Sequence, residues 1–357
     1  MKSVFNNLFV LELANNHWGS LDRGKEIVKS FAKVVKNNNV KASIKLQFRD
    51  VDNFVHKNWV NKDADKSLLD LPKIDRYIQK TLRTKLTIDE YAELVSYIRK
   101  NNCIPMATPF DEASVDMCTK LNIEIIKISS SDLNDWLLLR KIAQTKKPVI
   151  FSTGGANDKQ IDDAVKFFQN RNIEIAINHC VSKYPSENYE LELNQIDYLK
   201  ERYPDIVVGF STHEYQDWKS SMLISYAKGA RTWERHIDIP YPASHEQKSI
   251  SPYCSTPEQV DEWFKSFTEA QVMCGNSKNS RRLIDSKESD YLKALYRGLW
   301  LNKDMKKGDC VTLDDVYSAV PYLKEKNHIT SRNFFENSFI LKNDLKKDQP
   351  LTSDDII

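Results

Sequence analysis

Trp233-Glu234-Arg235-His236-Ile237-Asp238 reads as a short buried strand that ends in charged and imidazole side chains. The preceding Tyr226-Ala-Lys-Gly-Ala-Arg231 reads as a helix end with a tight turn at Gly229. Val207-Val-Gly-Phe-Ser-Thr-His213 has the same build: an apolar run that ends in polar groups and a histidine. Barrel enzymes place their chemistry at the C-terminal ends of such strands. Histidines at the ends of two adjacent strands could share one metal ion. Two satisfied core histidines would give the same letters, so both readings stand at this level.

Six further apolar runs repeat the pattern: Leu8–Ala14, Ala42–Gln47, Ile104–Thr108, Ile123–Ile128, Pro148–Ser152 and Ile173–Asn178. With Ile206–Phe210 and Thr232–Ile237 they make eight strand candidates. Between them the periodicity turns helical. In Leu21–Val35, residues Ile27, Val28, Phe31, Val34 and Val35 share one face. Thr87-Ile-Asp-Glu90 and Thr256-Pro-Glu-Gln259 are capping boxes, the second with proline at the first helical position. Eight strand–helix pairs predict a closed (β/α)8 barrel. The competitor is a doubly wound open sheet, which for a dinucleotide needs a glycine-rich first turn. That turn is Asn15-Asn-His-Trp-Gly-Ser20, which favours the barrel.

The long polar stretch Arg49–Leu86 interrupts the second strand–helix pair and carries Trp59 and Tyr77. On the catalytic face it would shape a pocket; elsewhere it would be a surface excursion. After a polar linker, Leu301-Asn-Lys-Asp-Met-Lys-Lys-Gly-Asp-Cys-Val-Thr-Leu313 is echoed by Leu341-Lys-Asn-Asp-Leu-Lys-Lys-Asp-Gln-Pro-Leu-Thr352. This pseudo-repeat marks a small β-rich domain. The boundaries read as 1–278 for the barrel, 279–294 for the linker and 295–357 for the second domain.

Composition narrows the function class. The formal net charge is +2, which offers no long-range attraction for nucleic acid. The six cysteines are scattered without a CxxC pair, which argues against a zinc finger, a redox motif or a disulfide framework. The apolar Leu8–Leu13 is interrupted by Glu12 and reads as a strand rather than a signal peptide. No apolar run reaches the roughly 18 residues that a membrane span needs. The expected setting is cytoplasmic, with neither membrane nor nucleic acid as partner.

The strand ends offer Glu12 with Asn16-His17; Lys45 and Gln47; Thr108; Lys127 with Ser129-Ser130-Ser131; Ser152-Thr-Gly-Gly155; His179 and Tyr184; Ser211 and His213; Glu234 and His236. Lysines and serine hydroxyls at such turns suit a phosphate, and Gly154-Gly155 lets a backbone approach closely. Lys127 could equally pair with a carboxylate, and the glycines could simply make a turn. Imidazoles with oxygen donors suit Mn²⁺, Zn²⁺ or Fe²⁺.

The ordered set resembles the sialic acid synthases, which include the N-acetylneuraminate synthases and related bacterial nonulosonate synthases. The likeness is carried by Glu12…Asn16-His17, Lys45-Leu-Gln47, Ala107-Thr-Pro-Phe-Asp111, Ile126-Lys127-Ile-Ser-Ser130 and Phe151-Ser-Thr-Gly154. It continues through His179-Cys180…Tyr184-Pro185, Gly209-Phe-Ser-Thr-His213 and Glu234-Arg-His236, and covers nearly the whole chain. The C-terminal repeat resembles that family's antifreeze-like (SAF) domain.

The resemblance implies a metal-dependent condensation of phosphoenolpyruvate with an N-acylated mannose-type aldose. The products would be phosphate and a nine-carbon α-keto acid. It implies His213 and His236 as ligands of a divalent ion, Mn²⁺ first, with Mg²⁺ or Co²⁺ as alternatives. Lys45, Lys127, Ser130, Ser152 and Ser211 would hold phosphoenolpyruvate, with Ser182 where the family has asparagine. Glu12, Gln47, Tyr184 and Glu234 would face the sugar and the reacting carbons, either glutamate moving protons. A domain-swapped homodimer is also implied.

Two departures touch the sugar. Pro242-Ala-Ser-His-Glu-Gln247 replaces an acidic turn, leaving His245 or Glu246 nearest to it. Ala319-Val-Pro-Tyr322 replaces an Arg-Pro-Gly, with Lys324, Lys326, His328 or Arg332 as substitutes. The acceptor is therefore expected to differ from N-acetylmannosamine, for example a diacetamido-trideoxy hexose. A catalytically silent sugar-binding scaffold is the reading from another class.

Overall fold

The computed structural model describes residues 3–60, 66–68, 71–245, 247–275 and 280–357. The chain divides into two compact units, Met1–Asn276 and Ser277–Ile357.

In the first unit, eight parallel strands close into a barrel, each pairing with the next and the last with the first. They are β1 (Leu8–Ala14), β2 (Lys41–Phe48), β3 (Ile104–Pro109), β4 (Ile125–Ile128), β5 (Val149–Ser152), β6 (Ile175–Cys180), β7 (Val207–Thr212) and β8 (Thr232–Ile237). A two-residue strand β9 (Cys254–Ser255) pairs with the end of β8. Helix α1 (Leu21–Asn38) buries the predicted face Ile27, Val28, Phe31, Val34 and Val35. Both capping boxes form, at Thr87 before α5 (Ile88–Lys100) and at Thr256 before α11 (Pro257–Cys274). Between β2 and α5 lie α2 (Val51–Phe54), α3 (Lys57–Val60) and α4 (Lys73–Arg83). The other barrel helices are α6 (Glu112–Lys120), α7 (Trp136–Gln144), α8 (Asp158–Gln169), α9 (Gln195–Arg202) and α10 (Trp218–Ala227). Gly229, just past α10, has φ +96°, as the predicted tight turn requires.

Strand side chains alternate between the barrel lumen and the helical layer. Leu8, Val10, Met106, Ile125, Ile150 and Ala176 form an apolar plug that includes Phe5. Their neighbours Phe9, Leu11, Ile126, Phe151, Ile177, Phe210 and Trp233 pack in the larger core with the helices. Two residues further along each strand, the plug's parity gives way to Glu12, Lys127, Ser152 and Asn178. The switch from apolar to polar along one face sets the floor of the site.

In the second unit, β10 (Gly298–Leu301) pairs antiparallel with β12 (Val316–Ala319), and β11 (Cys310–Val311) with β13 (Phe339–Ile340). Leu299, Leu301, Met305, Val311, Leu341, Leu345 and Leu351 fill its core. The two repeat phrases pair with each other. Met305 bridges Leu345, Lys306 bonds Asp344 at 2.8 Å, and Lys346 bonds Asp304 at 2.8 Å. The segment expected as a linker carries α12 (Ser286–Ala294), because Asp285 caps its first turn. A last short helix, α13 (Ser331–Glu336), is capped by Thr330. The six cysteines are unpaired, and no helix among the described residues is long and apolar enough to cross a membrane.

Gly209 sits in β7 where a Cβ would overlap the Thr232 side chain and backbone and the Asn178 amide oxygen. Gly209→Ala should therefore destabilise the protein by about 2–4 kcal/mol through overpacking. The urea midpoint reads this directly; an unshifted midpoint would contradict the close approach.

Candidate active site

The polar ends of the eight strands open into a cavity of about 1130 Å³. All twelve candidate residues line it: Glu12, Lys45, Gln47, Lys127, Ser130, Ser152, Ser182, Tyr184, Ser211, His213, Glu234 and His236. They come from every strand end except that of β3, which contributes Thr108.

The floor is a buried charge network. Lys45 makes an ion pair with Glu12, lies 3.5 Å from Glu234 and donates to Thr108 Oγ1 at 2.9 Å. Lys127 Nζ lies 2.6 Å from the other oxygen of Glu234. Ala14 N–H donates to Glu12 Oε1 at 2.7 Å, which aims the second Glu12 oxygen at Lys45. Burial pulls the Lys45 ammonium below the ordinary lysine range against the attraction of Glu234, and Lys127 lowers it further. For Glu234 burial alone would act upward, but Lys127 and Lys45 outweigh it and keep the group ionised. Each of the two lysines and two glutamates offsets part of another's desolvation in this buried place.

Beside this network lies a small cradle of donors. Gly154 N–H donates to Ser130 Oγ at 3.1 Å. A Cβ at Gly154 would overlap Ser182 Oγ and stand 2.8 Å from Ser130 Oγ, so only glycine lets these groups converge. Ser152 Oγ is buried without a hydrogen-bond partner among the described residues. Buried hydroxyls are normally satisfied, and one left open beside Lys127 is suited to an incoming oxyanion.

His213 and His236 face each other across the ends of β7 and β8, with ring centroids 5.4 Å apart. The Tyr184 ring lies 4.0 Å from that of His213, and Tyr253 is 5.3 Å from His236. His213 Nδ1 donates to the Val181 carbonyl at 3.0 Å, which leaves Nε2 as the free lone pair. Burial lowers the His213 pKa to about 4, and burial with the neighbouring His213 and Lys45 puts that of His236 well below the ordinary value. Both rings are therefore neutral, the form that binds metal. Among the described residues no third His, Cys, Asp or Glu joins them in a metal-holding group. The donor set thus fits an ion held by two imidazoles with its other positions left to water and substrate. Behind the histidines, Arg235 pairs with Glu214 at 3.1 Å and donates to the Glu214 carbonyl at 2.8 Å, both residues fully buried. This clamp ties the ends of β7 and β8 together.

Four expectations are corrected. His17 is buried outside the cavity, accepts from Gly19 N–H at 3.1 Å and packs against Tyr91. His179 has the outward parity of Ile177, stacks on Phe210 and bonds the Leu191 carbonyl at 2.7 Å. His328 is enclosed in the second unit between the Leu299 carbonyl and Leu323 N–H, and cannot serve as a reaching cation. His245 packs on Trp18 and Tyr241 away from the cavity lining, and Glu246 lies outside the described residues. The sequence reading missed Arg49, Lys80, Asp132, Cys180 and Tyr253, which also line the cavity. Two of these were legible: Arg49 continues the Lys45, Gln47 alternation, and Lys80 follows Ile74 and Tyr77 at three-residue steps along one face of α4. The insertion's residues in the lining settle that it shapes the pocket.

A closed parallel barrel with a lysine–carboxylate floor and a hydroxyl cradle at its C-terminal mouth has the build of a barrel enzyme with its active site at that mouth. A sequence profile of the NeuB family matches residues 34–279, and the chain belongs to that family, the sialic acid synthases. It is an enzyme that forms carbon–carbon bonds from phosphoenolpyruvate in the manner of the nonulosonic acid synthases. The N,N'-diacetyllegionaminic acid synthase of Campylobacter jejuni is 25% identical over 354 residues, 93% of this chain and 98% of that one. The pseudaminic acid synthase of the same species is 24% identical over 326 residues, 90% and 88% of the two chains. The crystal structure of a spore coat polysaccharide biosynthesis protein E from Chromobacterium violaceum superposes with a TM-score of 0.87. It is 30% identical and covers 98% of this chain and 99% of that one.

Acid should expose the neutral histidines. Unfolded imidazoles gain protons below about pH 6.5, whereas His213 stays neutral down to about 4 and His17 to about 3. Between those values the unfolded chain binds more protons, so stability falls as pH falls. At pH 5 each histidine should contribute about 2 kcal/mol of loss. In the metal-free protein, His213→Asn should flatten the drop in Tm between pH 7 and pH 5; an unchanged slope would refute the burial argument.

Proposed function

We propose that the enzyme condenses phosphoenolpyruvate with the open-chain form of an N-acylated mannose-type aldose. The product would be a sialic-acid-like nonulosonate, with release of phosphate. The observation that carries this reading is the convergence of Lys45, Lys127, the Ser130–Gly154–Ser182 cradle and the open Ser152 hydroxyl on one wall of the cavity. That set supplies two lysine ammonium groups and three serine hydroxyls for a small substrate that carries a phosphate and a carboxylate.

In the condensation, C3 of phosphoenolpyruvate forms a bond to the aldehyde carbon, whose oxygen takes a proton. Water adds at C2 and phosphate departs from the same carbon, leaving the α-keto acid. Lys45 and Lys127 hold the phosphoenolpyruvate charge in place, so the reacting carbons meet without a search. Glu12 and Glu234, the carboxylates against those lysines, are the groups able to take a proton from the attacking water or pass one to the departing phosphate. Gln47 and Tyr184 flank the sugar's side of the cavity. His213 and His236 would hold a divalent ion, Mn²⁺ before Mg²⁺ or Co²⁺, which would supply Lewis-acid polarisation of the aldehyde oxygen.

The second unit is proposed to be the SAF-type domain of a domain-swapped homodimer, and the enzyme to work in the cytoplasm. The resemblance supports the first assignment, and the scattered cysteines, suited to a reducing compartment, support the second.

Inorganic phosphate release decides the reading. With Mn²⁺ and phosphoenolpyruvate, at least one aldose among N-acetylmannosamine, diacetamido-trideoxy hexoses and other N-acylhexosamines should trigger it. Release only with a sugar other than N-acetylmannosamine would bear out the altered sugar side. No release with any, in protein shown to hold the metal, would refute the reaction. His236→Ala should lower turnover by at least about a hundredfold and weaken Mn²⁺ binding in parallel; near-normal activity would remove the metal assignment. Light scattering should give a dimer, and a fully active monomer would rule the swap out.

A further inference from the structure

Arg235 stands between Glu234 and His236 in β8, and Glu214 directly follows His213 just past β7. Each member of this buried pair is therefore the chain neighbour of one imidazole. The backbone ladder between β7 and β8 ends at Thr212 opposite Arg235, one rung short of the two histidines. Beyond that rung the strands have other neighbours. His236 stays paired with Glu12 of β1, while the His213 carbonyl accepts from Ser186 N–H at 3.1 Å. The gap between the two strand ends is closed by side chains. Arg235 Nη2 donates to the Glu214 carbonyl at 2.8 Å, and Nη1 lies 3.1 Å from Glu214 Oε1. Its Nε donates to Ser255 Oγ on β9, and Ser221 Oγ on α10 donates to Glu214 Oε1 at 2.5 Å.

This arrangement is not what stability alone would select. Replacing a buried ion pair by apolar residues of similar volume is often neutral or stabilising. Here four further polar atoms go unused: Thr212 Oγ1, Trp218 Nε1, Glu214 Oε2 and Arg235 Nη1 are buried with no hydrogen-bond partner among the described residues. Buried groups normally avoid that cost. What the pair does supply is direction, because a guanidinium fork holds its acceptors at fixed angles. We infer that Arg235 and Glu214 are positioning residues that set the span between His213 and His236, and thereby the affinity of the two imidazoles for a divalent ion. The inference rests on the proposed metal site and assigns the groups that tune it.

The test is Mn²⁺ affinity, read from the electron paramagnetic resonance signal of the free aqua ion as it is titrated into the metal-stripped full chain. Arg235→Met combined with Glu214→Leu should keep Tm or raise it, yet weaken Mn²⁺ binding by at least about tenfold. Glu214→Gln, which keeps the volume and loses the charge, and Arg235→Lys, which keeps the charge and loses the fork, should each fall between that variant and the unaltered chain. Saturating Mn²⁺ should restore most of the turnover, with KM for phosphoenolpyruvate within about twofold. Folded variants whose Mn²⁺ affinity stays within about twofold of the unaltered chain overturn the inference and leave the condensation standing. Failure of all three variants to fold also overturns it, since the pair would then serve the fold itself. If His236→Ala leaves Mn²⁺ binding unchanged, the metal assignment falls and the inference with it.

Discussion

Four ionisable side chains are buried together in one lumen: Glu12, Lys45, Glu234 and Lys127. Removing any one would leave its partner buried and uncompensated, a penalty of roughly 3–5 kcal/mol. The barrel below exists in a form that can hold them. Its plug of Phe5, Leu8, Val10, Met106, Ile125, Ile150 and Ala176 fixes strand register, and register decides which residue reaches the next layer. A slip by one residue in β8 would send Glu234 and His236 into the helical layer and bring Arg235 into the lumen. Hydrophobic packing thus sets the address of each charge, and the charges in turn specify a single register.

The same alternation explains why two strands contribute opposite chemistry from adjacent residues. Glu234 and His236 face the cavity, while Arg235 between them reaches outward to Glu214 and lies over the Trp218 ring at 5.4 Å. That outward pair is buried among α10 and the strand ends, where the low dielectric makes its attraction strong and its geometry rigid. Two imidazoles 5.4 Å apart on separate strands need such a brace. Small changes in strand splay would alter the span between them.

Much of this was legible in the letters. The eight strands, the helical face of α1 and both capping boxes follow from periodicity and capping chemistry, which are local properties. The candidate residues of the cavity were reachable because strand ends of a barrel converge whatever the loops do. His179 shows where that logic needs a second step: it stands at a strand end, yet its parity with Ile177 sends it outward, and counting in twos would have told it from His213. Arg49 and Lys80 escaped for a different reason. Each continues a local period, Arg49 that of β2 and Lys80 that of α4, but a period does not say how the segment between them folds back over the mouth. The α12 helix was hidden by polar composition, since an exposed short helix with a capping aspartate looks like a linker.

The reciprocal bonds of the second unit carry one more consequence. Asp304 accepts from the Lys347 amide and Asp344 from the Lys307 amide, both at 2.9 Å, so each repeat completes the turn of the other. Neither half could satisfy its own backbone alone, and Met305 and Leu345 would face water. The unit is in effect a pair of like peptides joined end to end, in which covalent fusion has turned an encounter between two chains into the closing of a loop.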